Sequence, residues 1–107
     1  GERTPLKYTV VDHSQIPEQA AKLIEEKKEK EFQMAYQKGE DLYLIKGYGR
    51  QMSGGYSIQV TDLSASVNAV FFETKLIGPT EEVQGGEPSY PYIVVKTEYR
   101  DVPVQFR

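Results

Sequence analysis

From Phe32 onward the apolar residues fall on every second position, and glycine or proline cuts the alternation into short runs. Phe32, Met34 and Tyr36 alternate with Gln33, Ala35 and Gln37, and Tyr56, Ile58 and Val60 alternate with Ser57, Gln59 and Thr61. A period of two sends successive side chains to opposite faces of a strand, so most of this chain is committed to β-structure. Lys38-Gly39-Glu40-Asp41 reads as the turn of a hairpin between the run at Phe32–Tyr36 and the run at Asp41–Lys46. Leu63–Asn68 reads as a connection, and Ala69–Ile77 as a strand ended by Gly78-Pro79. A polar, acidic loop over Thr80–Ser89 precedes the most strand-like run, Tyr92–Tyr99. Arg100-Asp101 then turns the chain back into Val102–Phe106, where Pro103 assigns an edge because it cannot donate to a ladder.

Ahead of Phe32 the pattern differs. Leu6–Val11 is a β-branched run that predicts a first strand. Pro17 suits the first turn of a helix, and Ile16, Ala20, Leu23 and Ile24 follow at helical spacing. The helix is expected to run on to Lys30 with a solvated face of Lys/Glu pairs. The predicted class is α+β: one N-terminal amphipathic helix packed on a curled, mainly antiparallel sheet of about six to seven strands. Phe71 and Phe72 are adjacent and must point to opposite faces, so both faces of their strand need cover. That requirement predicts a partial barrel or a small sandwich.

The 107 residues are expected to form a single domain, over residues 1–107, able to bury roughly 60–68% of its unfolded surface. Sixteen acidic and 13 basic residues are finely mixed, for a net charge of −3, which lacks the clustered basic face that nucleic acid requires. No apolar run reaches the roughly 20 residues of a membrane span. The absence of cysteine excludes disulfides, thiolate metal sites and a cysteine nucleophile. The chain begins Gly1-Glu-Arg-Thr-Pro5 with no methionine, so a signal or lipid anchor removed from upstream is expected.

No set of residues has the pattern of a catalytic or cofactor site. Asp12-His13-Ser14 holds three triad residue types, but neighbours along a chain diverge, and the expected role of Asp12 or Ser14 is to cap the helix. With His13 as the lone histidine, a histidine metal site is not expected. The glycines from Gly47 to Gly55 lack both the Gly-Lys-Ser/Thr ending and the following helix of a phosphate cradle, and read as a bulged corner. Glu25, Glu26 and Glu29 lie on a helical face and Glu81, Glu82 and Glu87 in a loop, where carboxylates are solvated rather than paired in a cleft. Glu81, Glu82 and Asp101 lack the loop pattern of a calcium site. The expectation is no enzyme activity, no cofactor and no metal.

Tyrosine is the more informative residue, with eight copies. Tyr90 and Tyr92 flank Pro91 and would point the same way from a strand, while Tyr48 and Tyr56 flank the glycine corner that carries Arg50. Tyrosine offers an apolar body with a polar tip, and arginine can clamp a carboxylate or a partner backbone. Tyr48, Arg50, Tyr56, Tyr90 and Tyr92 are the candidate partner-binding residues, and Gly49, Gly54 and Gly55 the structural glycines beneath them. Several of these tyrosines would instead fill the sheet surface.

The run Gly49-Arg50, Ser53-Gly54-Gly55-Tyr56, Pro79 and Tyr90-Pro91-Tyr92 with Val94-Val95 resembles the C-terminal domain of the protease-complex subunit PrcB family, over residues 42–106. The resemblance implies an extracellular or cell-envelope domain of bacterial type with a non-catalytic binding role. Its implied partner is a protein, a secreted or surface protease among the candidates. The alternatives are a domain whose tyrosines stack on cell-wall sugars and, further off, a small hydrolase with a base near Ser53.

Overall fold

The computed structural model describes residues 2–81 and 86–107. The elements, in chain order, are β1 (Thr4–Pro5), β2 (Thr9–Val10), a 3-10 turn at His13–Gln15, α1 (Glu18–Lys27), β3 (Glu31–Lys38), β4 (Asp41–Tyr48), β5 (Ser57–Ala65), β6 (Val70–Ile77), β7 (Tyr92–Glu98) and β8 (Val104–Phe106). The α+β class holds, but the strands form two sheets of four, ordered β1-β5-β6-β8 and β2-β7-β4-β3, and the sheets do not close into a barrel. The helix follows two short strands instead of opening the chain.

β4 explains the layering. Its residues Leu42 to Ile45 are all buried, the signature of a strand covered on both faces. Leu42 and Leu44 join Leu63, Ala65, Val70, Phe72 and Val95 in a core between the two sheets. Tyr43 and Ile45 point the other way and meet Ala20 and Ile24 of α1. The result is three layers, a helix on one sheet and that sheet on another. The helix buries only Ala20 and Ile24, so its narrow stripe matches one face of one sheet. It ends at Lys27 rather than Lys30, and Pro17 stands just before it, its carbonyl accepting the Ala21 N–H at 2.9 Å.

The β3–β4 hairpin forms as predicted, with Lys38 opposite Asp41 across a two-residue turn. Gly39 takes φ +60 and no other residue there has positive φ, the arrangement of a II′ turn, which matches the twist of the strands it joins. Phe32, Met34 and Tyr36 turn their side chains toward the helix.

Of the strand predicted over Leu6–Val11 only β2 forms, pairing with β7, while β1 lies just ahead of that run and pairs with β5 in the other sheet. Between them the chain crosses the gap, and the Thr97 hydroxyl donates to the Lys7 carbonyl at 2.8 Å. Leu63–Ala65 continue β5 rather than forming a connection, because a bulge between Val60 and Asp62 shifts the register by one. That shift returns Leu63 and Ala65 to the core face already used by Val60. The chain after Arg100-Asp101 does not fold back on β7. It crosses to the other sheet, where β8 lies parallel to β6, with Phe106 edge-on to Phe72 at 6.0 Å. β8 is nevertheless an edge, as Pro103 requires.

Phe71 and Phe72 do point to opposite faces, and their cover differs. Phe72 lies in the core, whereas Phe71 is roofed by two guanidinium groups, Arg3 at 3.9 Å and Arg107 at 4.7 Å from its ring centre. Arginine side chains thus do on the outer face what a second apolar layer does on the inner one. In the predicted loop over Thr80–Ser89, residues 82–85, including Glu82 and Gly85, lie outside the described residues.

Candidate functional site

Tyr56, Tyr90, Tyr92 and His13 line a single groove of about 280 Å³, floored in part by Ile58 and Ile93. Each arrives for a local reason. Tyr56 stands directly before β5, and its ring lies against Gly78. Tyr90 and Tyr92 straddle Pro91, whose carbonyl accepts the Tyr48 N–H at 3.0 Å and so aligns the entry of β7 with β4. His13 comes from the 3-10 turn that leads into the helix.

Tyr92 anchors the set. Its ring stacks on the imidazole of His13 with centres 5.0 Å apart and planes 29° apart, and its hydroxyl shares a hydrogen bond with His13 Nδ1 at 3.2 Å. Lys28, at the end of the helix, holds its ammonium 5.4 Å from the centre of the Tyr90 ring while pairing with Glu25 at 3.0 Å. The bond to Glu25 raises the Lys28 pKa, so the ammonium at this rim stays charged through neutral pH.

The glycine corner positions one wall of the groove without lining it. Gln51 and Ser89 exchange backbone bonds at 2.8 and 3.0 Å, and the Ser89 hydroxyl donates to the Ser53 carbonyl at 2.6 Å. These bonds fix the residue next to Tyr90. Gly55 has φ +86 and would bring a Cβ within 3.0 Å of Pro79, so a side chain there is strained twice over, by backbone and by contact. Gly49 also has positive φ, whereas a Cβ on Gly54 would meet nothing.

Tyr48 and Arg50 lie outside the groove. The β4 pleat sends Tyr48 to the inner face, where its hydroxyl bonds the Thr74 hydroxyl of β6 and ties the two sheets together. Arg50 is exposed. Its N–H donates to the Glu29 carbonyl at 3.2 Å, and among the described residues its guanidinium makes no hydrogen bond or ion pair. His13 belongs to the groove, although the residue pattern alone does not place it in the binding set. The signal available there was its position between the first strand and the helix.

Asp12, His13 and Ser14 do not converge. The Ser14 hydroxyl donates to Asp12 Oδ2 at 2.6 Å, which holds the Asp12 carboxyl below the usual carboxylate range, while His13 turns away to Tyr92. Neither Asp12 nor Ser14 caps α1, because the 3-10 turn and Ile16 intervene and Pro17 takes the cap position. Among the described residues no three His, Cys, Asp or Glu side chains gather as a metal site. A larger opening of about 880 Å³ lies at the other end of the β7 sheet, under the β3–β4 turn, with mixed charge from Lys7, Lys96, Glu40, Asp41 and Glu98. No described helix is long and apolar enough to cross a membrane.

Burial raises the Tyr92 pKa above its ordinary value of 10.0, the Glu25 charge adds to that, and Lys28 opposes it. The folded protein therefore holds this proton more tightly than the unfolded chain does. The stability it contributes is complete below the unfolded pKa and is lost as pH rises through the folded one. Wild type is expected to lose stability above pH 10.0 more steeply than Tyr92→Phe in urea melts across the alkaline range. Identical curves would mean that the phenol is not desolvated.

No curated protein and no solved structure matches the chain. The sequence profile of the PrcB C-terminal family matches residues 42–98. That span runs from β4 to the end of β7, so it takes in the inner core strands, the glycine corner and the three groove tyrosines, and leaves out β8, the helix and His13. With just over half its length inside the match, the chain belongs to the PrcB C-terminal family.

Proposed function

We propose that this domain is a non-catalytic protein-binding accessory module, and that its contact face is the groove of Tyr56, Tyr90 and Tyr92 with His13. The observation that carries the reading is the convergence of three tyrosines and the lone histidine, from three separate segments of chain, on one shallow surface. Tyrosine-rich surfaces of this kind suit protein contacts, since each ring supplies area at low entropy cost and a hydroxyl for orientation. Family membership supports association with a protease complex, and with it a location in the cell envelope or outside the cell. The partner in this reading is a secreted or surface protease.

The test is affinity capture from envelope and culture-medium extracts, with wild type immobilised beside a Tyr56→Ala/Tyr90→Ala variant of matched urea stability. The expected result is a protease held by wild type and released by the variant. A protease held equally by both would move the contact face elsewhere. Capture of peptidoglycan or polysaccharide with no protein would replace the protein partner by a cell-wall ligand.

A further inference from the structure

Sheet edges invite pairing with other chains, and folded proteins protect them. Among the described residues, three of the four edge strands are protected by shortness: β1 and β2 have two residues each, and β8 has three and follows Pro103. The stretch of β5 that β1 leaves open carries the bulge between Val60 and Asp62. β3 has none of these devices. It is eight residues long, pairs without register shift to β4, and contains no proline, no glycine and no charge between Glu31 and Lys38. Among the described residues nothing pairs with its outer side.

The hairpin determines which backbone groups face outward. Lys38 and Asp41 close a two-residue turn and so form a hydrogen-bonded pair, and by alternation Tyr36–Tyr43, Met34–Ile45 and Phe32–Gly47 are the others. The Tyr48 N–H bonded to Pro91 agrees, since it gives the even-numbered residues of β4 to β7 and the odd-numbered ones to β3. Glu31, Gln33, Ala35 and Gln37 therefore aim N–H and C=O away from the sheet, and all four are exposed. On the helix-bearing face Phe32, Met34 and Tyr36 are only half-buried, so an apolar row runs out to the edge and stops.

We propose that a second copy of this chain covers this edge, β3 pairing antiparallel with its counterpart about a two-fold axis at Ala35. In that register Ala35 opposes Ala35 of the copy, Gln33 opposes Gln37, and Met34 opposes Tyr36. The strand is its own complement on both faces, amide against amide on one and sulfur against aromatic on the other, with a small residue at the axis. Lys38 falls opposite Phe32 and Glu31 opposite Gly39, so no like charges meet. An unrelated extended segment would have to reproduce both patterns, whereas an identical strand does so by symmetry. The two sheets join into one that spans both copies, with both helices on the same face.

Sedimentation velocity over a concentration series of the 107-residue chain tests this. Wild type is expected to reach twice the 12.2 kDa monomer mass and to dissociate on dilution. Ala35→Pro removes an outward N–H and none of the β3–β4 ladder, so it is expected to keep the circular dichroism of wild type and remain at 12.2 kDa. Ala35→Lys and Ala35→Glu are each expected to be monomeric alone and to associate when mixed, because like charges at the axis repel and opposite ones attract. A wild type that stays at 12.2 kDa at every concentration overturns the proposal, as does a dimer that survives both Ala35→Pro and Ala35→Lys. Failure of the Lys and Glu variants to associate overturns the two-fold register at Ala35.

Discussion

Replacing Phe72 by alanine is expected to cost about 3–5 kcal/mol, while the same change at Phe71 costs distinctly less. The two residues are neighbours of identical chemistry, so the difference isolates their surroundings. Phe72 is 1% exposed, sits among Leu42, Leu44, Val70 and Val95, and takes the edge of Phe106. Its removal leaves a cavity between two sheets that cannot easily close. Phe71 is 9% exposed and is covered by the side chains of Arg3 and Arg107, which can settle into the space it leaves. A domain of this size has a total stability of roughly 5–15 kcal/mol, so the Phe72 variant should be barely folded. Urea melts of both variants decide the matter. Equal losses would mean that the arginine roof packs as tightly as the inter-sheet core.

The second large effect has a sign that propensity alone would get wrong. Gly47 lies inside β4, and exchanging a strand glycine for valine normally gains stability, on a scale that spans about 1 kcal/mol. Here Gly47→Val is expected to destabilise by about 1–3 kcal/mol. Gly47 faces Phe32 across the hairpin, and a Cβ on Gly47 would collide with the edge of the Phe32 ring. Any side chain must therefore expel that ring from its place against the helix, where it helps to cover Ile24 and Ile45. In a Phe32→Ala background the obstruction is gone, and Gly47→Val should then be neutral or stabilising. The double-mutant cycle should show coupling within the 0.5–3 kcal/mol range found for residues in contact. Additive effects would show that the close approach of ring and glycine does not govern this site.

Both results depend on partners that the alternation of a single strand does not name. The sequence by itself carried the local structure. Gly39 announced the hairpin turn, the stripe of Ala20 and Ile24 the helix, Pro103 an edge, and Tyr90-Pro91-Tyr92 a pair of rings on one side of a strand entry. These are near-neighbour properties, decided by backbone sterics and by side-chain periods of two and 3.6.

Tertiary structure decided which sheet each strand joins and what each face meets. The N-terminal run is divided between two sheets because Leu6 bonds to Leu63 on one side and Val11 to Val94 on the other. β8 lies parallel to β6 because Val104 and Phe106 complete a core whose other members lie far away in sequence. The groove followed the same rule. Tyr48 looked like a neighbour of Tyr56 across the glycine corner, yet the β4 pleat sends its hydroxyl to Thr74, whereas His13 meets Tyr92 across 79 residues of chain. A strand's pattern specifies that one face must be buried. Only the closure of distant segments on one another, each bringing apolar area that the others lack, decides against what.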